Sequence, residues 1–238
     1  MTEPGETTYW MDRPVLGLDL ESTGLDTEND RPVSVALAWV EPNGKARDRK
    51  TYLVDPDMVI ADEAIAVHGI TNAQARHGTH WSEMVVYLGR VLNKTHRRGE
   101  PVVIMNARFD WTMLHHLAKR IEVQLPPIAI LDPVPIDRAL DKYRSGSRKL
   151  TDLAKHYGLE DFAAHTASAD ALTATQVMYA MARRYPDALR RSLPELMAWQ
   201  AKVFEEWRAG LVLHWKEIGK EVTNPPRPGW PLEDPLTL

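Results

Sequence analysis

Apolar and polar residues alternate with two different periodicities along the chain, and the first is typical of β-strands. The apolar run at 14–20 predicts a buried strand, and residues 32–40 alternate with period two, which indicates a second strand. Asn43 and Gly44 then give a strong hairpin signal, so residues 47–54 are expected to return antiparallel. The chain therefore opens with a predicted three-stranded meander.

Helical spacing follows after residue 56. Apolar residues recur every three or four positions in four segments, 81–95, 108–120, 150–156 and 168–184. Between them, two short apolar runs at 101–105 and 128–131 have the length of strands. Strands that alternate with helices after a meander are typical of a mixed sheet whose later strands are parallel. We therefore expect an α/β fold with a five-stranded sheet, three antiparallel strands and then parallel ones, flanked by helices.

The last fifty residues differ from this pattern. Ser192 and Glu195 have the spacing of a capping box, and the apolar repeat that follows predicts one long helix to Gly219. Its tryptophans suggest that it packs on the preceding domain or on a partner, and the Pro-rich residues after it are expected to form an extended tail. The expected organisation is a loose lead-in at 1–12, a main domain at 13–186 and a helical extension with its tail at 187–238.

Composition and charge narrow the functional classes. The chain of 238 residues has a formal net charge of −4, which argues against a protein that binds nucleic acid through an overall positive charge. It has no cysteine, so disulfides and thiolate metal sites are excluded. No apolar run approaches the ~20 residues of a membrane span, and the N-terminus lacks a signal-peptide pattern. We therefore expect a cytoplasmic protein without a membrane partner.

Four carboxylates occupy unusual positions. Asp19 and Glu21 share one face of the first strand, and Asp110 and Asp170 each lie near a helix start on the stripe that carries the apolar residues. Taken singly, such acids are read as solvated strand ends or as partners of a helix dipole. Together they are the oxygen ligands that suit Mg²⁺ or Mn²⁺. His165, five residues before Asp170, has a side chain whose pKa suits proton transfer beside such a site.

Three segments, in order and at these separations, resemble the motifs of a known family. Residues 19–24 read Asp-Leu-Glu-Ser-Thr-Gly, residues 106–110 read Asn-Ala-Arg-Phe-Asp, and residues 165–170 read His-Thr-Ala-Ser-Ala-Asp. They resemble the exonuclease motifs of the DnaQ-like (DEDDh) 3′–5′ exonucleases, which include polymerase proofreading subunits, ribonuclease T and oligoribonuclease. The resemblance covers about residues 14–185 and implies a ribonuclease-H-like fold. Nothing after about residue 186 matches the family's motifs.

The resemblance also implies roles for individual residues. Asp19, Glu21, Asp110 and Asp170 would hold two divalent cations, Mg²⁺ or Mn²⁺, and His165 would be the general base of phosphodiester hydrolysis. Nucleoside monophosphates would be released from single-stranded or frayed DNA 3′ ends. Substrate binding is implied for Thr23, Gly24, Leu25, His68, Asn106 and Phe109.

The sequence leaves several alternatives open. An enzyme acting on RNA or short oligonucleotides would use the same residues, and the pathway, whether proofreading in DNA replication, repair or RNA turnover, stays undetermined. The C-terminal helix could instead dock the chain to a replication protein. A purely structural α/β domain, whose acids cap helices, predicts no stabilisation by divalent cations. Arg144, Arg148 and Lys149 could meet phosphates, although a solvated charged face is the simpler interpretation.

Overall fold

A mixed sheet forms the centre of the computed structural model, which describes residues 9–159, 167–223 and 225–233. Its strands are β1 (Val15–Ser22), β2 (Pro32–Val40), β3 (Ala46–Asp55), β4 (Thr79–His80), β5 (Val102–Val103) and β6 (Ile130–Leu131). They lie in the order β4-β3-β2-β1-β5-β6. β2 is antiparallel to β1 and β3, whereas β5 and β6 continue the sheet parallel to β1. The expected mixed α/β fold is therefore confirmed.

Helices cover both faces of the sheet in the described part of the chain. They are α1 (Asp62–His68), α2 (Asn72–Ala75), α3 (Trp81–Arg97), α4 (Arg108–Arg120), α5 (Pro133–Leu140), α6 (Leu150–His156), α7 (Ala167–Arg184), α8 (Pro186–Leu189) and α9 (Leu193–Glu217). None of these helices is long and apolar enough to cross a membrane.

The described sheet has six strands, not the five expected from the sequence. The additional strand, β4, has two residues and pairs in parallel with the end of β3, where Val54 lies opposite Thr79. Two residues are too few to show a period of two. β5 and β6 are also shorter than the apolar runs that predicted them, although the backbone N–H of Ile104 still donates to the carbonyl oxygen of Leu131 over 3.0 Å.

Two hydrophobic cores lie on opposite faces of the sheet. On one face, Leu16 and Leu18 of β1 pack with Leu88 of α3 and Leu114 of α4. On the other face, small residues of β2 and apolar residues of α7 form the second core. β2 is consequently buried on both sides, because its alternate alanines allow α7 to pack closely across the sheet. Burial of each large aliphatic side chain contributes about 1.5–3 kcal/mol, so the sheet is held firmly between its helices.

Helix α9 covers the edge of the sheet at β6. Ser192 and Glu195 form the predicted capping box at its start. Further along, Gln200 is fully buried and donates from Nε2 to the carbonyl oxygen of Ile130 over 3.0 Å, while Met197 Sδ accepts the N–H of Ile130 at 3.1 Å. An edge strand otherwise presents unpaired backbone groups to solvent. The helix therefore completes the domain at this edge, and it ends at Glu217, two residues before the predicted Gly219.

Both ends of the described chain pack on this domain. Trp10 is 2% exposed, and its indole Nε1 donates to the carbonyl oxygen of Leu189 over 3.1 Å. Trp230 is buried in the core that contains α3 and α4. The ordered contacts of Trp10 and Trp230 differ from the loose lead-in and the extended tail expected there, because each large aromatic ring buries its apolar surface.

Candidate active site

Strand β1 presents two carboxylates toward helix α7. Its leucines face α3 and α4, so Asp19 and Glu21 lie on the opposite face, together with Gly17. A Cβ atom at Gly17 would lie 2.4 Å from the carbonyl oxygen of Ala171 in α7. Glycine is therefore needed at this position, because it lets strand and helix approach each other closely. This contact fixes the start of α7 beside the end of β1.

Three carboxylates converge where β1 meets α7. Carboxylate oxygens of Asp19, Glu21 and Asp170 all lie within 4.8 Å of one another. Asp170 lies in the first turn of α7, and all three side chains are partly buried. The sequence pattern placed these acids on facing sides of a strand and a helix, and the structure brings them together.

Asp110 lies next to this group, and its carboxylate interacts electrostatically with that of Asp19. Asp110 is 5% exposed in the first turn of α4, and one of its carboxylate oxygens accepts the backbone N–H of Leu20 over 3.0 Å. The structure therefore places the fourth predicted acid at β1, although Asp110 is not part of the group of three within 4.8 Å.

Burial and mutual repulsion raise the pKa values of Asp19, Glu21 and Asp110. Burial raises the pKa of Asp19 well above its ordinary range, and the carboxylates of Asp110, Glu21 and Asp170 raise it further. The pKa of Glu21 is raised by burial and then by Asp170. Burial also raises the pKa of Asp110 to about 8, although the hydrogen bond from Leu20 opposes this. Negative charge is therefore unfavourable here unless something compensates it.

Divalent cations fit this set of residues. Carboxylate oxygens are the ligands that Mg²⁺ and Mn²⁺ prefer, and the three closest side chains supply them from one small volume. A bound cation would remove the repulsion that raises the pKa values of the acids. The donor set and its electrostatics thus agree with the expected cofactor.

His165 lies outside the described residues, so the structure does not place the predicted general base. Thr23 and Gly24, which were predicted to bind substrate, form the turn after β1. The hydroxyl of Thr23 donates to Asp30 Oδ1 over 2.6 Å, and a Cβ at Gly24 would meet Asp30 Oδ2 at 2.5 Å. Asp30 thus holds this turn in a tight conformation beside the acids.

His68 lies at the end of α1, against the end of β1. Its Nε2 atom is 3.2 Å from the carbonyl oxygen of Ser22, and its Nδ1 atom accepts the N–H of Ile70 over 3.0 Å. Burial lowers the pKa of this histidine. The ring is therefore held next to the turn that follows the acidic residues, and its role in substrate binding stays a prediction.

The remaining predicted substrate residues line one cleft of about 930 Å³. Leu25 is 89% exposed at one side, and Asn106 and Phe109 lie at the start of α4. Asn106 has a positive φ of 55°, which lets the chain turn from β5 into α4. These three residues therefore lie along one side of an open space large enough for more than one nucleotide.

Sequence reasoning missed Asp132, which organises this turn. Asp132 is 3% exposed, and its two carboxylate oxygens accept the backbone N–H groups of Asn106 over 3.1 Å and Ala107 over 2.9 Å. It also caps α5 by accepting the N–H of Val134. An aspartate directly before a proline is a helix-start signal, so the capping role could have been found from the sequence.

The basic residues before α6 have a structural role that the sequence did not indicate. Arg144 and Arg148 both contact the carboxylate of Asp137, at 3.2 and 2.7 Å, and the hydroxyl of Tyr157 donates to it over 2.8 Å. The side chain of Asp137 is fully buried. The two arginines therefore hold a buried acid rather than form a solvated charged face.

Comparison with known proteins identifies the family. Residues 16–178 match the model of the RNase T exonuclease family. E. coli exonuclease I, in complex with a dA16 oligonucleotide, has a similar fold with a TM-score of 0.61 and 20% identity, over 74% of this chain and 42% of that one. The exonuclease I of Methylocaldum szegediense is similar over 73% of this chain and 41% of its own, with a TM-score of 0.56 and 20% identity.

A smaller relative matches over nearly its whole length. The nuclease domain of 3′hExo, a DEDDh family member bound to rAMP, has a TM-score of 0.58 and 15% identity, over 76% of this chain and 95% of that one. No curated protein sequence matches the chain. The present chain spans less than half of the exonuclease I chains. The family match covers well over half of the residues and confirms the resemblance to the DEDDh exonucleases, and the chain therefore belongs to the exonuclease family.

Proposed function

We propose that this protein is a metal-dependent exonuclease that releases nucleoside monophosphates from single-stranded or frayed DNA 3′ ends. The convergence of the Asp19, Glu21 and Asp170 carboxylates within 4.8 Å carries the proposal. Crowding partly buried carboxylates in this way costs folding free energy. Cations bound at this place would offset that cost, so the arrangement supports a function that needs them. Asp110, beside the three carboxylates, is the fourth proposed ligand.

Each residue has a part in the proposed hydrolysis. The four acids would hold two divalent cations, Mg²⁺ or Mn²⁺, which supply charge stabilisation to the reacting phosphodiester and promote attack by water. His165 would accept the proton of the attacking water, since an imidazole titrates near neutral pH. The turn at Thr23 and Gly24 would receive the terminal nucleotide, with His68 beside it and Leu25, Asn106 and Phe109 along the cleft.

DNA is the substrate that we favour. The fold resembles that of E. coli exonuclease I, which was solved with dA16 bound. Phe109 offers a ring for stacking, which is tolerant of sequence because every base has a π-face. RNA or a short oligonucleotide is the second candidate, and it is supported by the likeness to 3′hExo, which was solved with rAMP bound.

The test uses matched DNA and RNA oligonucleotides labelled at the 5′ end. The wild-type protein with Mg²⁺ or Mn²⁺ should produce a ladder that shortens from the 3′ end, and EDTA should abolish it. Asp19→Asn and Asp170→Asn should reduce the rate at least 10²-fold. Asp187→Asn, an exposed acid in the first turn of α8, is the matched control and should keep the wild-type rate. A wild-type protein that cuts neither substrate would contradict the proposal, and the ratio of the two rates decides between DNA and RNA.

Docking to a replication protein through the C-terminal helix stays a separate prediction, as does a location in the cytoplasm. Leu213 and Ile218, near the end of α9, are 57% and 58% exposed, which supports a contact there. Leu213→Glu should abolish binding to a purified polymerase subunit and leave nuclease activity intact. Equal binding by wild type and variant would exclude α9 as the docking element.

A further inference from the structure

The cleft lined by Leu25, Asn106 and Phe109 has two walls of different origin. One wall contains Leu25, Asn106 and Phe109, which lie within the segment that matches the exonuclease family. The opposite wall contains Phe204, Trp207, Arg227 and Trp230, all of which follow the end of that match at residue 178. We call this second surface the C-terminal wall, and we include in it Arg138 of α5, which borders it.

Arg108 holds the C-terminal wall against α4. Its guanidinium donates to the carbonyl oxygens of Gly229 over 2.9 Å and Arg227 over 2.8 Å, and it lies 3.4 Å from the carboxylate of Glu233. Its Cζ atom also lies 4.7 Å from the centre of the Phe204 ring. Because these contacts use the backbone of the segment, they fix its path and leave the side chain of Arg227 exposed in the cleft.

An aromatic ring positions the guanidinium of Arg138, and the carboxylates of Asp132 and Asp137 lie close enough to interact with it electrostatically. The Cζ atom of Arg138 lies 3.9 Å from the centre of the Trp207 ring. Among the residues that the structure describes, no hydrogen bond or ion pair engages this guanidinium. Stacking on an aromatic ring fixes the plane of an arginine and leaves its N–H groups free for an anion. Such a fixed fork is suited to the oxygens of a phosphate.

The cleft contains charges of both signs. Asp26, Glu28 and Lys119 line it on the side of Leu25, whereas Arg138 and Arg227 lie on or next to the C-terminal wall, and Arg227 also interacts electrostatically with Asp26. The other acids of the cleft are already engaged, because Glu233 pairs with Arg108 and Asp132 accepts backbone N–H groups. A polyanion in this cleft would therefore place its phosphates along the C-terminal wall.

We propose that the C-terminal wall binds the sugar-phosphate backbone of the single strand upstream of the nucleotides being cut, with Arg138 and Arg227 as its phosphate contacts. The inference rests on the proposed function, and it assigns to the residues after 178 a role in holding substrate. The aromatic residues of the wall, Trp207 above all, keep Arg138 in place. This path would let a longer strand bind more tightly than a dinucleotide, which is too short to reach it.

The experiment measures binding and turnover as a function of strand length. Affinity is measured by fluorescence anisotropy with a labelled oligonucleotide of about 12 nucleotides in EDTA, over a series of salt concentrations. Arg138→Ala and Arg227→Ala should each weaken binding about tenfold and reduce the slope of log Kd against log salt by about 1. The KM for the long strand should rise in parallel, and the effect should shrink as the strand is shortened toward a dinucleotide.

Arg191 provides a matched control. Its Cζ atom lies 4.9 Å from the ring of Trp199, which belongs to α9 as Trp207 does, and Arg191 does not line the cleft. Arg191→Ala should keep the wild-type affinity and salt slope. Arg227→Ala also guards against misfolding, because Arg108 contacts only the backbone of that residue. Wild-type affinity and salt slope in both variants, in an enzyme that is active, would overturn this inference alone. A protein that cuts no strand but binds one with the expected salt dependence would instead overturn the proposed function.

Discussion

Replacing Gly17 by alanine tests the contact that brings β1 and α7 together. The new Cβ would lie 2.4 Å from the carbonyl oxygen of Ala171, whereas ordinary contacts begin at 3.4 Å, so the helix must retreat by about 1 Å. The Cβ would also meet Thr175 Cγ2 at 2.8 Å. Overpacking of this kind costs about 1–3 kcal/mol of folding free energy. Because α7 carries Asp170, the same displacement should lower kcat about 10²-fold.

The assay combines urea denaturation with single-turnover cleavage of a 5′-labelled oligonucleotide in Mg²⁺. Gly210→Ala is the matched control, since a Cβ there has no neighbour within 4 Å and the residue lies inside α9. Alanine is the better helix former, so this variant should gain up to about 1 kcal/mol and keep the wild-type kcat. A Gly17→Ala protein with wild-type stability and kcat would refute the reasoning, because it would mean that close approach of strand and helix does not set the position of Asp170.

Three further predictions follow from buried carboxylates. Because burial raises the pKa of Asp110 to about 8, its contribution to the stability of the metal-free protein is complete below about pH 4 and is lost as the pH rises through 8. Asp110→Asn should therefore flatten the decline in unfolding free energy between pH 5 and 9 in EDTA, and identical profiles would contradict this. Mn²⁺ at about 100 times its Kd should stabilise the wild type by about 2.7 kcal/mol, measured as a rise in Tm, and Asp19→Asn should remove most of that rise. An equal rise in Tm in the variant would show that Asp19 does not hold the cation. Asp137→Ala should cost about 3–5 kcal/mol in urea denaturation, because it leaves the buried guanidinium groups of Arg144 and Arg148 without their partner. A loss below about 1 kcal/mol would show that water replaces the carboxylate.

Local patterns were sufficient to predict much of the fold. The strand at 32–40 and the helices at 108–120 and 150–156 have the predicted bounds, because each has a clear period and a clear stop signal. β4 was missed, since a two-residue strand is defined by its neighbour rather than by its own sequence. β5 and β6 were predicted too long for the same reason: an apolar run shows burial, while the length of a ladder depends on the partner strand.

The candidate site was predictable only in part. The acidic residues were identifiable because each interrupts an apolar stripe. The C-terminal wall was not predictable, because the contact between Arg108 and Gly229 joins residues 121 positions apart and has no periodic signature. Gly17 was the overlooked signal: a glycine inside a strand often marks a close backbone approach.

The contacts of His68 determine the tautomer of its imidazole. Since Nδ1 accepts the N–H of Ile70, the ring proton must reside on Nε2, where it can be donated to the carbonyl oxygen of Ser22. The neutral ring thus has no lone pair available, so in this arrangement it can neither ligate a cation nor accept a proton from water. Acidification would place a second proton on Nδ1, break the bond to Ile70 and release the segment after α1 from the end of β1. The imidazole is therefore a neutral cross-link between two turns, and its hold on them should weaken as the solution becomes acidic.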